Sequence, residues 1–146
     1  MSEPDYRLPS GPRRTLRALL PVVVGEQARN DGPTVEDALR GVESFLTAIG
    51  PGVRVAIVAG LRAFDAGARA FPKGGVRARA RARIGGFAAL DAGVRDAYFR
   101  SWWESRLPPA AQFARGVKTL LCFAWYELPE VERRIGYRPA EWIERV

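Results

Sequence analysis

Histidine is absent from this 146-residue sequence, and cysteine occurs once, at Cys122. Without histidine the chain cannot form serine–histidine or cysteine–histidine catalytic pairs, and it cannot form a histidine-ligated metal site. A single cysteine excludes an internal disulfide, and its apolar neighbours predict a buried, inert thiol. Glycine-rich phosphate loops of the GxGxxG and GxxxxGK[ST] types are also missing. We therefore predict no catalytic, cofactor-binding or metal-binding residue and no enzymatic activity in this chain.

Long apolar runs and lysines are also scarce. No apolar run approaches the roughly 20 residues that a membrane-spanning helix needs, so we expect no transmembrane segment. Lys73 and Lys118 are the only lysines, and the formal net charge of +7 comes almost wholly from arginine. Such a charge favours an anionic partner, which could be nucleic acid, anionic lipid or an acidic protein surface.

Apolar residues recur at three- and four-residue steps along most of the chain, which predicts α-helices. Residues 1–11 are expected to form a polar tail, and residues 12–146 an all-α, single-domain bundle of about five main helices. Thr34 is the predicted N-cap of the second helix. The third helix is apolar on more than one face and is predicted to be the central one. The main helices are expected near residues 12–24, 34–49, 53–70, 91–107 and 109–127, before a short helix and a final turn.

An arginine-rich connector, residues 73–86, is predicted between the third and fourth helices. Its sequence, KGGVRARARARIGG, places Arg77, Arg79, Arg81 and Arg83 at alternate positions. Alternation is typical of a strand, but alanine disfavours strands and no partner strand is evident. Three interpretations stay open: a solvated connector, contact with an acidic protein or lipid surface, and contact with nucleic acid. No aromatic residue lies among the arginines, which disfavours nucleic acid.

Aromatic residues are concentrated in the C-terminal half and include two adjacent pairs, Trp102–Trp103 and Trp125–Tyr126. Adjacent residues on a helix project about 100° apart, so a single core stripe cannot bury both members of a pair. Either the helices bury aromatic residues on two faces, or some of these side chains are covered only by a partner protein. Trp, Tyr and Arg are the residue types that most often anchor such interfaces.

The segment GVKTLLCFAWYELPEVERRIGYRP resembles the C-terminal signature of the gluconate 2-dehydrogenase subunit 3 family. In that family, a helix that carries a Lys-Thr-Leu motif followed by aromatic residues precedes Pro-x-Val and Gly-Tyr elements. The preceding stretch from Phe87 and the early segment RRTLRALLPVVVG are also similar to helices of the family. The matching positions are Lys118, Thr119, Leu120, Ala124, Trp125, Tyr126, Pro129, Val131, Ile135, Gly136 and Tyr137.

The resemblance implies a noncatalytic small subunit that binds and stabilises a large FAD-dependent dehydrogenase of the glucose–methanol–choline type. The FAD is expected in the partner, and none in this chain. The residues expected to contact the partner are Trp103, Lys118, Trp125, Tyr126 and Tyr137. The alternative function is a basic helical nucleic-acid-binding module, with Arg77, Arg79, Arg81 and Arg83 as its polyanion contacts.

Arg13 and Arg14 precede an apolar stretch, and many members of the family begin with a twin-arginine export signal. Here the arginine pair is predicted inside the first folded helix. We therefore expect a cytoplasmic complex, with export to the periplasm alongside the partner as the alternative. Peripheral membrane association through the complex stays open.

Overall fold

The computed structural model describes residues 6–25, 28–29, 31–70 and 76–135, and for Ala78 and Ile135 it describes the backbone alone. Every regular element within these ranges is a helix and none is a strand, as the apolar periodicity predicts. None of their helices is both long and apolar enough to cross a bilayer. The elements are α1 (Ser10–Val24), α2 (Gly32–Ile49), α3 (Pro51–Arg69), α4 (Val76–Gly85), a 3₁₀ helix (Gly86–Ala89), α5 (Ala92–Trp103), α6 (Pro108–Tyr126) and α7 (Pro129–Ile135).

The described residues form seven α-helices, where the sequence predicts about five main ones and a short one. The additional helix is α4, which lies within the predicted arginine-rich connector. Its alternate alanines are the strongest helix formers, and Ala82 packs into the core. Two arginines from other helices donate to its last carbonyl groups: Arg69 to Arg83 O at 2.9 Å, and Arg14 to Gly85 O at 3.2 Å. These bonds satisfy acceptors that a helix end would otherwise leave unpaired.

The central helix is α1, which contacts α2, α3, α5, α6 and the 3₁₀ helix. It buries Leu16, Leu19 and Leu20 completely. The prediction that the third helix is central is wrong, because α3 buries only Leu61, Phe64 and Ala68. Its apolar N-terminal half lies largely at the surface.

An aromatic cluster around Phe64 joins α3 to the C-terminal half of the chain. Its ring lies 4.7 to 6.0 Å, centroid to centroid, from those of Phe87, Tyr98, Trp102 and Phe113. The hydroxyl of Tyr98 donates to Phe64 O at 2.6 Å, and burial raises the pKa of this phenol to about 12. Such rings contribute about 0.5–1.5 kcal/mol per pair beyond the apolar area that they bury.

Candidate partner-binding surface

Two of the predicted contact residues, Trp103 and Lys118, meet where α5 packs against α6. The Lys118 ammonium lies 4.8 Å from the centre of the Trp103 ring, and the Arg115 guanidinium lies 5.5 Å from it. These cation–π contacts hold the half-buried indole in the lining of a cleft of about 320 Å³. The cleft is lined by Val22, Val23, Asp96, Phe99, Arg100, Trp103, Glu104 and Lys118. This mixture of apolar and charged side chains suits contact with a partner's side chain.

Trp125 is fully buried, and this corrects the prediction that it contacts a partner. It follows Leu121 by four residues and Val117 by eight, so it lies on the inward stripe of α6. Its indole Nε1 has no hydrogen-bond acceptor within the described part of the chain. Trp125 is therefore a core residue in this fold.

Tyr126 and Phe123 lie on the outward side of α6, and their side chains are 40% and 63% exposed. The adjacent pair Trp125–Tyr126 is thus divided between the core and the surface, as the 100° angle between neighbours requires. The next residue after Phe123, Ala124, packs against α2. A Cβ built on Gly41 of α2 would lie 3.7 Å from the Cβ of Ala124. Tyr137, another predicted contact residue, lies outside the described residues, as does Gly136.

A second exposed apolar region lies where α2 turns into α3, and we call it the apolar corner. It consists of Phe45, Ile49, Val53 and Val55, whose exposed fractions run from 41% to 68%. Phe45, Ile49 and Val55 fit the apolar stripes of their helices, so their spacing alone predicts core positions. The signal for exposure was present in α3, since a helix that is apolar on several faces needs several covering neighbours. Here α1 occupies the centre, and the N-terminal half of α3 stays uncovered.

The four arginines of α4 are all exposed. Val76, Ala80 and Ile84 follow one another at four-residue steps and form an exposed stripe between the pair Arg79, Arg83 and the pair Arg77, Arg81. Arg81 also lies 3.8 Å from the Asp91 carboxylate. An aliphatic stripe between cations offers no ring on which a base could stack, so this geometry does not favour nucleic acid.

The arginine pair near the N-terminus takes part in helix packing. Arg13 lies 2.9 Å from the Glu36 carboxylate and 3.6 Å from that of Glu43, both on α2. Glu43 is buried and also accepts a hydrogen bond from Leu8 N at 2.7 Å. Arg14 binds the end of α4. Both arginines therefore hold α1 against neighbouring elements of the folded domain.

The described residues contain no metal site, and the comparisons with known proteins indicate no role for this surface. No group of three or more Cys, Asp or Glu side chains lies close enough to hold a metal ion, as far as residues 6–25, 28–29, 31–70 and 76–135 are concerned. Cys122 is a free thiol, half-buried on α6. In comparisons with known proteins, no family model, no curated protein and no solved structure matches this chain.

Proposed function

We propose that this chain is a noncatalytic helical subunit that binds and stabilises a larger FAD-dependent dehydrogenase. The observation that carries the binding role is the set of large apolar side chains left uncovered at the apolar corner and at the end of α6. The partner class rests on the resemblance of the α6–α7 sequence to the gluconate 2-dehydrogenase subunit 3 family. The FAD belongs to the partner in this proposal.

The physical basis of the proposal is burial. Phe45, Phe123 and Tyr126 expose apolar area that would gain roughly 25 cal/mol per Å² on transfer from water to an interface. Association also costs translational, rotational and side-chain freedom, so only a well-packed contact leaves a net gain. The half-buried Trp103, in contact with Lys118 and Arg115, supplies an aromatic anchor of the kind that dominates interfaces.

We further propose that the complex forms in the cytoplasm. Arg13 forms ion pairs with Glu36 and Glu43, and Arg14 donates to Gly85 O. An arginine pair engaged in this packing is part of the domain, whereas an export signal would have to remain accessible to the export machinery.

The test is recovery of a flavoprotein with the tagged chain from cells of its native host. The double variant Phe45→Ser/Phe123→Ser removes exposed rings from α2 and α6. The matched control Ile84→Ser removes an apolar side chain that is 84% exposed on α4. We expect the control to recover as much flavoprotein as the wild type, and the double variant to recover at least about tenfold less, since a hot-spot pair contributes 2 kcal/mol or more.

Thermal unfolding provides the control for folding. All three side chains are exposed, so we expect both variants to melt within a few degrees of the wild type. Undiminished recovery with the double variant would contradict the proposal. An equal loss of recovered flavoprotein with Ile84→Ser would show that recovery depends on general surface hydrophobicity rather than on this surface.

A further inference from the structure

A second cleft, of about 320 Å³, opens between α1, the start of α2, the 3₁₀ helix and α5. We call it the basic cleft, because four arginines line it: Arg14, Arg17, Arg29 and Arg95. Among the described residues that line it, Glu36 is the only acid. The rest of the wall is mainly apolar and includes Ala18, Pro21 and Val35.

The charge of Glu36 is already balanced by two arginines. Arg13, which is not part of the lining, lies 2.9 Å from its Oε2, and Arg17 binds its Oε1. Burial works to raise the pKa of this carboxyl, but the bonds from Arg13 and Arg17 outweigh it and lower the pKa. Glu36 is thus a stable carboxylate engaged with these two guanidinium groups, and the lining also contains the guanidinium groups of Arg14, Arg29 and Arg95.

Burial and neighbouring positive charge both act on Arg95, which lines the basic cleft. Its side chain is half-buried on α5, one Nη donates to Ala88 O, and its Nε is buried without a hydrogen-bond partner among the described residues. Burial lowers the pKa of this guanidinium, and the positive charge of Arg29 lowers it further, against a smaller opposing effect of Asp91. An anion that enters this partly desolvated cleft is attracted by the guanidinium groups that line it.

We propose that the basic cleft binds a small organic phosphate. Guanidinium groups present rigid forks of donors that match the oxygens of a phosphate in pairs. The apolar wall offers contact to the carbon skeleton of such a ligand, and the volume falls in the range of about 300–1,000 Å³ that is usual for small-molecule sites. The site is concave and built from side chains of several elements, so its geometry fits a compact ligand better than an extended polymer. This proposal is independent of the proposed docking function.

Calorimetric titration with inorganic phosphate, inorganic pyrophosphate and ADP at low salt tests the proposal on the full chain. We expect saturable binding of pyrophosphate and ADP, both tighter than inorganic phosphate. Arg29→Gln and Arg95→Gln should each weaken pyrophosphate binding about tenfold or more, because each removes charge-assisted hydrogen bonds. The control, Arg77→Gln, removes the same charge from α4, whose arginines do not line this cleft, and should leave affinity within about twofold.

Four results would overturn the proposal. The first is the absence of saturable binding of any of the three probes. The second is an equal loss of affinity in Arg77→Gln, which would indicate attraction to net charge alone. The third is full affinity for pyrophosphate in Arg29→Gln. Because the Arg29 side chain is exposed, we expect this variant to fold. It therefore tests the proposal even if Arg95→Gln is unstable. Duplex DNA that displaces ADP and binds more tightly would also contradict a compact-ligand site.

Discussion

The contact between Gly86 and Asp65 determines how the 3₁₀ helix meets α3. Gly86 has a φ of +66°, which is the left-handed region. A Cβ built on it would lie 2.2 Å from Asp65 Oδ1. The same carboxylate oxygen accepts a hydrogen bond from Phe87 N at 2.9 Å. This turn delivers the Phe87 ring into the aromatic cluster around Phe64, where the two ring centroids lie 4.8 Å apart.

Gly86→Ala should therefore destabilise the protein by about 1–2 kcal/mol or more, because alanine is strained in the left-handed region and its Cβ clashes with Asp65. The matched control is Gly116→Ala on α6, where a Cβ would meet no atom within 4 Å. That substitution should stabilise the helix by about 0.5–1 kcal/mol. Urea unfolding of the two variants measures both effects, and equal stabilities would refute this account of the turn.

Single residues also show the limits of what periodicity can reveal. Apolar spacing places Trp125 and Phe45 on equally good helical stripes, yet Trp125 is enclosed and Phe45 is 46% exposed. Spacing identifies the face of a helix on which a residue lies, but not whether another element covers that face. Coverage depends on how helices pack, and that depends on contacts between residues far apart in sequence. For the same reason, the meeting of Arg14, Arg17, Arg29 and Arg95 in the lining of one cleft could not be predicted from the sequence.

At the scale of elements, Asp31 links the start of α2 to α7. Its carboxylate accepts a hydrogen bond from Thr34 N at 3.2 Å and forms an ion pair with Arg134. Thr34 was the predicted N-cap, and the structure instead begins α2 at Gly32 with Asp31 as the cap. Pro33 explains the shift, since proline is preferred in the first turn of a helix, where no partner for its missing N–H is needed.

The bond from Arg134, followed by those from Thr34, lowers the pKa of Asp31 from 3.8 to about 2. A carboxyl whose pKa is lower in the folded state stabilises that state fully above its unfolded pKa and loses this effect as pH falls. We therefore expect the free energy of unfolding to decrease between about pH 4 and pH 2, and to decrease less in Asp31→Asn. Denaturant unfolding at several pH values measures this.

Arg134→Gln provides the test of the partner. It should flatten the same part of the pH dependence, and the double variant should add little to either single change, since both remove one interaction. Independent, additive effects of the two substitutions would contradict the link between α2 and α7.

The arginine-rich segment shows why element type was harder to predict than element position. Its strict alternation matches a strand, while its alanines favour a helix, and propensity together with the bonds from Arg14 and Arg69 accounts for the helical α4. Long apolar repeats gave the positions of α1, α2, α3 and α6 to within a few residues. Those helices carry strong periodic signals, whereas α4 carries none that points to a single buried face.

At the scale of the whole molecule, α1 is surrounded by neighbouring elements, whereas the N-terminal half of α3 and the end of α6 keep exposed apolar side chains. The core closes around Leu16, Leu19 and Leu20, and the apolar corner and the end of α6 are left facing water. Soluble monomers seldom expose large contiguous apolar patches unless these serve a partner. The all-helical class could be predicted from the sequence, but the uncovered surface could not, because it results from the placement of helices around α1.

The central claim is that this surface binds a flavin-carrying dehydrogenase. The most direct measurement is the visible absorption spectrum of the tagged wild-type chain purified from its native host under mild conditions. The account predicts flavin absorbance in constant proportion to a large co-purifying chain, with both lost together when the complex is dissociated. Recovery of the chain as a stable, monodisperse monomer with no flavin absorbance would contradict it.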